Sequence, residues 1–357
     1  MRLTELSYKT TDWEIKNLEF DNVSLIVGKN STGKSKTLGV LDLLGKIITQ
    51  KVSLPGRGDW NVTFLSNEFG VINYQFKTGL TIGDPIVEYE KITIGGKIYL
   101  QRNSERTTLF SELDKTLQEI YPPEGKLTIH TTRDIKKYPY LEEIINWAEH
   151  SYGFKFGIIG PELPHNLNYN LLNAIDDIPS LHKTLSEESQ ERVKCNLVKI
   201  GYKIDDIVFA EGSPTNFLFI KESDLAKTLG HYQLSQGMFR SLYILIFIEY
   251  LLSQKQPATI IIDDLCEGLD YDRATKLGKL LFDNCMQNNI QLIATSNDMF
   301  LMDVVDLKYW NLLQREGGIV TALNPKNQPD LFNDFQFTGL SNFDFLASDY
   351  IAQKIKK

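Results

Sequence analysis

Three cysteines in 357 residues, at Cys195, Cys266 and Cys285, are odd in number and match no metal-ligand spacing. They fit a reducing cytoplasm and read as core-filling side chains. Five histidines are equally dispersed, which leaves no zinc site and no Cys/His nucleophile pair. Long hydrophobic runs are missing as well. The most apolar stretch, Ser241 to Leu252, is about a dozen residues interrupted by Glu249, too short for a membrane span and suited to a buried helix. The opening residues, Met1-Arg2-Leu3-Thr4-Glu5, carry no secretory signal, and nothing targets a membrane. Positive charge is in deficit, with a formal net charge of −8, so bulk electrostatics does not coat the chain in nucleic acid. Internal repeats, low-complexity linkers and sustained heptads are also lacking. At 42% hydrophobic and 24% charged, the composition is that of a soluble globular protein with room for one large domain or two ordinary ones.

What is present is more specific. Residues 28 to 35 read Gly28-Lys29-Asn30-Ser31-Thr32-Gly33-Lys34-Ser35, a complete Gly-x4-Gly-Lys-Ser loop followed by Lys36. Such a loop cradles phosphates with successive backbone N–H groups, neutralises the β/γ oxygens with its lysine, and ligates Mg²⁺ through its serine hydroxyl. The flanks suit it. Val23 to Val27 is a short apolar strand, and Leu38, Leu41, Leu44 and Ile48 recur at helical spacing through Gln50. By chance the bare pattern arises in about one in a hundred chains of this length. The expected ligand is a nucleoside triphosphate with Mg²⁺.

Between Trp60 and Arg102 the pattern turns to strand: Asn61–Phe64, Val71–Phe76, Ile86–Ile92 and Lys97–Leu100, the last two joined by a Gly95-Gly96 hairpin signal. Residues 111 to 185 read as mostly helical, punctuated by Pro122-Pro123, Pro139 and Pro161. Glu187 to Ile200 is an amphipathic helix, and 202–210 and 216–221 return to strand. From there the order is helix 238–252, strand 259–262, helix 272–288 and strand 290–294, the alternation of a parallel sheet with crossover helices. Phe335 to Tyr350 reads as a tail packed on the body.

Four further segments extend the phosphate loop. Thr259-Ile260-Ile261-Ile262 is a strand ending in Asp263 and Asp264, where P-loop enzymes place the carboxylate that holds the Mg²⁺ shell, making Asp263 the partner of Ser35. Ahead of it, Ser235, Gln236 and Gly237 open an apolar helix, a position for a second anion site. Gly268-Leu269-Asp270 follows the carboxylates, and Leu292 to Asp298 is a strand ending in polar residues. This set resembles the ABC-type ATPases, with their Leu-Ser-x-Gly signature, Walker B strand, D-loop and switch segment.

The resemblance implies an α/β P-loop NTPase of the ABC-head type, with an antiparallel β-subdomain and an inserted helical lid. It implies an N-terminal ATPase lobe at 1–110, the lid at 111–228, and a C-terminal lobe at 229–357. It also implies a homodimer sandwiching two ATPs, with Ser235, Gln236, Gly237 and Asp270 acting across the seam. Lys34 and Ser235 stand about two hundred residues apart, a spacing that resembles the SMC-like and OLD-like heads more than transporter heads. Looser patterns resemble the AAA-annotated ATPases of prokaryotic anti-phage modules: Thr132-Arg133-Asp134 with Tyr138-Pro139 and Trp147, the loop from Asp263 to Asp270, and the tail Thr338 to Asp344.

Two departures affect the chemistry. Where the family has glutamate after the Walker B aspartate, this chain has Asp264, one methylene shorter, with Glu267 as an alternative base. Where the family has a switch histidine, Asn297 or Ser296 stands, and asparagine cannot become cationic. Slow turnover and a long-lived ATP-bound dimer are expected. The expected role is a cytoplasmic ATPase that controls a separate effector, a nuclease or other toxin, in anti-phage defence. The alternative is a DNA-repair or DNA-sensing ATPase acting on nucleic acid. Gln75 is a candidate metal-contacting glutamine, and Trp13 or Tyr8 a candidate adenine stack, although such aromatics are more often core. Lys126, Arg133, Lys136 and Lys137 are either a basic patch or a solvated loop.

Overall fold

The computed structural model describes residues 1–160, 178–212, 216–348 and 350–355; Pro161 lies outside them. In chain order the elements are β1 (Arg2–Lys9), β2 (Glu14–Glu19), β3 (Val23–Val27), α1 (Lys34–Ile48), β4 (Gly58–Ser66), β5 (Gly70–Thr81), β6 (Asp84–Ile94), β7 (Lys97–Arg102), β8 (Thr107–Ser111) and β9 (Thr116–Ile120). Then come α2 (Thr128–Thr131), α3 (Pro139–Glu149), β10 (Ser151–Lys155), α4 (Ile178–Thr184), α5 (Glu187–Ile200), β11 (Ile204–Ala210), β12 (Phe217–Glu222) and β13 (Leu229–Gly230). The remainder is α6 (Gln236–Gln254), β14 (Ala258–Asp263), α7 (Tyr271–Gln287), β15 (Ile290–Thr295), α8 (Met299–Val304), β16 (Trp310–Glu316), β17 (Ile319–Leu323), α9 (Pro329–Gln336), α10 (Asn342–Ala347) and α11 (Tyr350–Ile355).

The chain divides into two compact units, one of Met1–Ser151, Leu307–Leu340 and Phe345–Lys357, the other of Tyr152–Asp306 and Ser341–Asp344. Strand order in the first is β3-β16-β17-β2-β1-β4-β5-β6-β7-β8-β9. β3 runs parallel to β16, and β4 to β9 form an antiparallel meander. Period-2 burial along β4 puts Trp60, Val62 and Phe64 inside. There Trp60 stacks on Phe76 at 4.8 Å and meets Tyr8 at 4.7 Å. Gly95 and Gly96, at φ 54° and 81°, make the β6–β7 turn as the sequence predicts. The tail docks through Phe345, wholly buried among Phe332, Phe335 and Trp310.

In the second unit β14 and β15 run in parallel beside β10, and β11-β12-β13 form a separate antiparallel sheet. Every residue of β14 and β15 is buried, as expected of parallel strands covered on both faces. The stretch from 111 to 160 differs from its mostly helical reading. It holds β9 and β10 as well as α2 and α3, because Thr116–Ile120 pairs with β8 from an edge that composition alone does not reveal.

Candidate functional site

The phosphate loop grows from β3, whose five residues are all buried. It leaves the strand at Gly28, where a Cβ would lie 2.6 Å from Thr32 Oγ1 and 3.0 Å from the Leu313 carbonyl oxygen, so only glycine fits. Ser31 and Gly33 are left-handed, at φ 67° and 99°. Thr32 closes the turn by donating its N–H and hydroxyl to the Lys29 carbonyl at 3.2 and 2.9 Å. α1 starts at Lys34 with no side-chain cap and no acidic residue in its first turn, a helix start suited to an anion. Buried Lys34 donates from Nζ to the carbonyls of Gly28 at 2.7 Å and Lys29 at 3.4 Å, folding its ammonium over the loop. Lys29, Asn30, Ser31, Ser35 and Lys36 are exposed.

In the second unit the carboxylate pair closes β14, and three consecutive residues from the end of β15 are tied to it. Thr295 Oγ1 donates to Asp263 Oδ1 at 2.7 Å and accepts from the Asp264 N–H at 2.9 Å. Ser296 Oγ donates to the Leu265 carbonyl at 3.0 Å. Asn297 Nδ2 donates to Asp264 Oδ1 at 3.0 Å. The Leu265 N–H returns a bond to the Thr295 carbonyl at 2.8 Å. Asp264 itself stands at φ 55°, a strained conformation for a residue with a Cβ and one that clusters at functional sites. The Asp263 carboxylate is 6% exposed, and Lys155 Nζ, at the end of β10, lies 3.8 Å from its Oδ2.

The signature segment caps its own helix: Ser235 Oγ accepts from the Met238 N–H at 3.3 Å. Gln236 and Gly237 form the first turn. A Cβ on Gly237 would fall 2.9 Å from Leu269 Cδ2, so signature and D-loop pack together within this unit. One turn on, buried Arg240 donates from Nε to the Ile159 carbonyl at 2.8 Å, from Nη1 to Glu267 at 2.7 Å, and from Nη2 to Gly157. Glu267 is exposed, and its carboxylate occupies the space a Cβ on Gly157 would need. Asp270 caps α7. The Arg273 N–H, then its guanidinium, hold the Asp270 carboxyl below the usual carboxylate range. Burial pushes Asp298, the cap of α8, the other way.

Sequence reasoning thus named Asp264 and Asn297, which the structure brings into direct contact, but gave no role to Thr295, Lys155 or Arg240. Thr295 could have been found as the hydroxyl ending the strand beside the aspartate strand; Lys155 and Arg240 carry no local signal. Gln75 lies mid-strand in β5, opposite Asn61 and Lys91, with its amide donating to Asn73, and belongs to the meander. Tyr8 is part of the core stack. Arg133 forms a two-pronged pair with Glu142, and Lys137 lies 3.9 Å from Asp114, so half of the candidate basic patch is neutralised locally.

Residues 23–303 match the profile of a family described as "AAA domain, putative AbiEii toxin, Type IV TA system". Among curated proteins none matches the chain. Solved structures do. An SMC head domain from Thermotoga maritima is 14% identical, with 91% of this chain and 99% of that one covered, at a TM-score of 0.51. An SMC head bound to the C-winged helix domain of ScpA is 10% identical, with 90% and 97% covered, at 0.56. A third head, with an extended coiled coil and bound to the C-terminal domain of ScpA, derives from Pyrococcus furiosus; it is 10% identical, with 94% and 99% covered, at 0.51. At such identities the likeness is one of fold: a P-loop head of the SMC and ABC type.

Proposed function

The chain belongs to this AAA-domain family, and from that premise we propose that it binds ATP with Mg²⁺, hydrolyses it slowly, and uses the bound nucleotide to hold a dimer that controls a separate effector. One observation carries the reading: Asp263 and Asp264 are both held from the end of β15 and the segment just after it, Thr295 on the first and Asn297 on the second. A base held by a neutral amide is positioned but receives no cationic help, consistent with slow turnover.

The residues present fit the ligand. Gly28 and Gly33 let the loop backbone sit where any Cβ would strike Thr32, Leu313 or Trp13, and Lys34 folds its ammonium over the loop. By the family resemblance, the Ser35 hydroxyl and the Asp263 carboxylate would each be a Mg²⁺ ligand, oxygen donors of the kind this cation takes together with phosphate oxygens and water. When bound, the metal would neutralise charge on the phosphates. Asp264, or Glu267 in its place, would accept the proton of the attacking water. Ser235, Gln236, Gly237 and Asp270 would act on the nucleotide of a second copy.

The family description speaks of a "putative AbiEii toxin, Type IV TA system"; our reading of this chain is an ATPase that acts in defence beside a separate effector, a nuclease or another toxin. A second reading, direct action on DNA, draws on the SMC-head fold and predicts salt-dependent DNA binding with DNA-stimulated hydrolysis. Among the described residues no helix is long and apolar enough to cross a membrane. The test is a pull-down with the Asp264→Asn, Glu267→Gln variant in the presence of ATP, which should retain nucleotide, dimerise and bring down the effector. Should Lys34→Ala abolish ATP binding yet leave complex formation and biological activity intact, the switch is refuted.

A further inference from the structure

Behind the phosphate loop, outside every nucleotide motif, lies Trp13. The turn that carries it is fixed on both sides. The Thr10 N–H donates to the Trp13 carbonyl at 2.7 Å, and the Glu14 N–H donates to the Gly318 carbonyl at 2.9 Å, in the turn between β16 and β17. The indole is 6% exposed. A Cβ on Gly33 would lie 2.5 Å from its ring, so the ring is packed directly against the second glycine of the loop. Two cations rest on the same ring: Lys36 Nζ at 4.0 Å and the Arg315 guanidinium at 4.8 Å from its centroid. Arg315 then reaches the loop itself, donating from Nη1 to the Ser31 carbonyl at 3.0 Å while its Nε donates to the Gly317 carbonyl at 2.7 Å.

These contacts converge on Ser31 and Gly33, the two left-handed residues of the loop. Left-handed backbone is disfavoured for a residue with a Cβ such as Ser31, and alternation between right- and left-handed residues is what shapes a backbone anion nest. We propose that Trp13 and Arg315 are positioning residues of the phosphate loop, holding Ser31 and Gly33 in the conformation that binds phosphate before any nucleotide arrives. Arg315 suits the role because one planar guanidinium both stacks on an indole and donates two directed hydrogen bonds. Lysine supplies the charge but not the plane.

The proposal rests on the nucleotide-binding reading, but its main test does not need nucleotide. Amide hydrogen exchange of the nucleotide-free protein should show residues 28–33 exchanging about tenfold faster in Arg315→Ala than in wild type, with β3 and α1 unchanged. Arg315→Lys should fall between the two, and Trp13→Phe should give a smaller increase. Affinity for a fluorescent ATP analogue with Mg²⁺ should drop about tenfold in Arg315→Ala, with turnover at saturating ATP kept, a split that general loss of structure would not produce. Unchanged loop exchange in both Arg315→Ala and Trp13→Phe overturns the proposal, as does faster exchange spread evenly over β3 and α1. If wild type and Lys34→Ala bind the analogue equally poorly, the nucleotide reading fails, while the exchange result still decides the role of Trp13 and Arg315.

Discussion

Replacing Asn297 with alanine removes one hydrogen bond and nothing else of consequence, because the side chain is exposed and its amide donates to Asp264 Oδ1 at 3.0 Å. A hydrogen bond to a charged group contributes about 1.5–3 kcal/mol, and solvent access on both sides puts this one at the lower end. At about 1.5 kcal/mol, turnover should fall about tenfold. The Michaelis constant should stay nearly constant, since on the proposed reading the lost contact orients the base and does not hold ATP. Asp264→Asn removes the proposed proton acceptor and should cost about a hundredfold or more. The double variant should be no slower than Asp264→Asn alone, because Asn297 acts only through the group that variant has already lost. Steady-state phosphate release, with ATP affinity measured in parallel, reads all three. Asn297→Ala turning over at the wild-type rate would refute the assignment, and so would penalties that simply add.

Two further perturbations probe the frame around the site. Arg240→Met keeps length and packing but leaves the carbonyls of Gly157, Ile159 and Glu267 without their donor; urea unfolding should show a loss of about 2–4 kcal/mol, and a change within about 0.5 kcal/mol would refute the clamp. His182 on α4 is buried with neither ring nitrogen partnered among the described residues, and burial pushes it down to about 4. Between its ordinary value of about 6.5 and that point the unfolded chain takes up a proton that the fold refuses, so stability should fall by about 3 kcal/mol as pH drops through the window and level off below it. His182→Leu should flatten that slope; a slope equal to wild type would show that His182 does not set it.

The elements most legible in the sequence were those whose pattern is local. Glu187–Ile200 is helical over the span its amphipathic pattern marks, and the structure adds the Ser186 cap and the left-handed Gly201 that bound it. The strands of the β4–β7 meander were found because period-2 burial needs no distant partner to be visible. By contrast the β16–β17 hairpin went unread. Its signal, Gly317-Gly318 between two apolar runs, was there, but its importance comes from pairing with β3 and β2, far upstream in the chain. Residues 111–160 were misread for a related reason: Thr116–Ile120 and Ser151–Lys155 become strands because an edge is offered to them.

By itself the sequence determined the ligand chemistry, because a phosphate loop is a contiguous device: eight residues supply the turn, the charge and the hydroxyl. It also set the order of the remaining motifs, and with them the family. Tertiary structure decided what each motif leans on. Thr295 meets Asp263 from 32 residues away, Asn297 meets Asp264 from 33, and Arg315 reaches Ser31 across 284. Such contacts depend on which strand lies beside which, and in what register. That pairing is set by burying apolar faces over the whole unit, and no local stretch of residues encodes it.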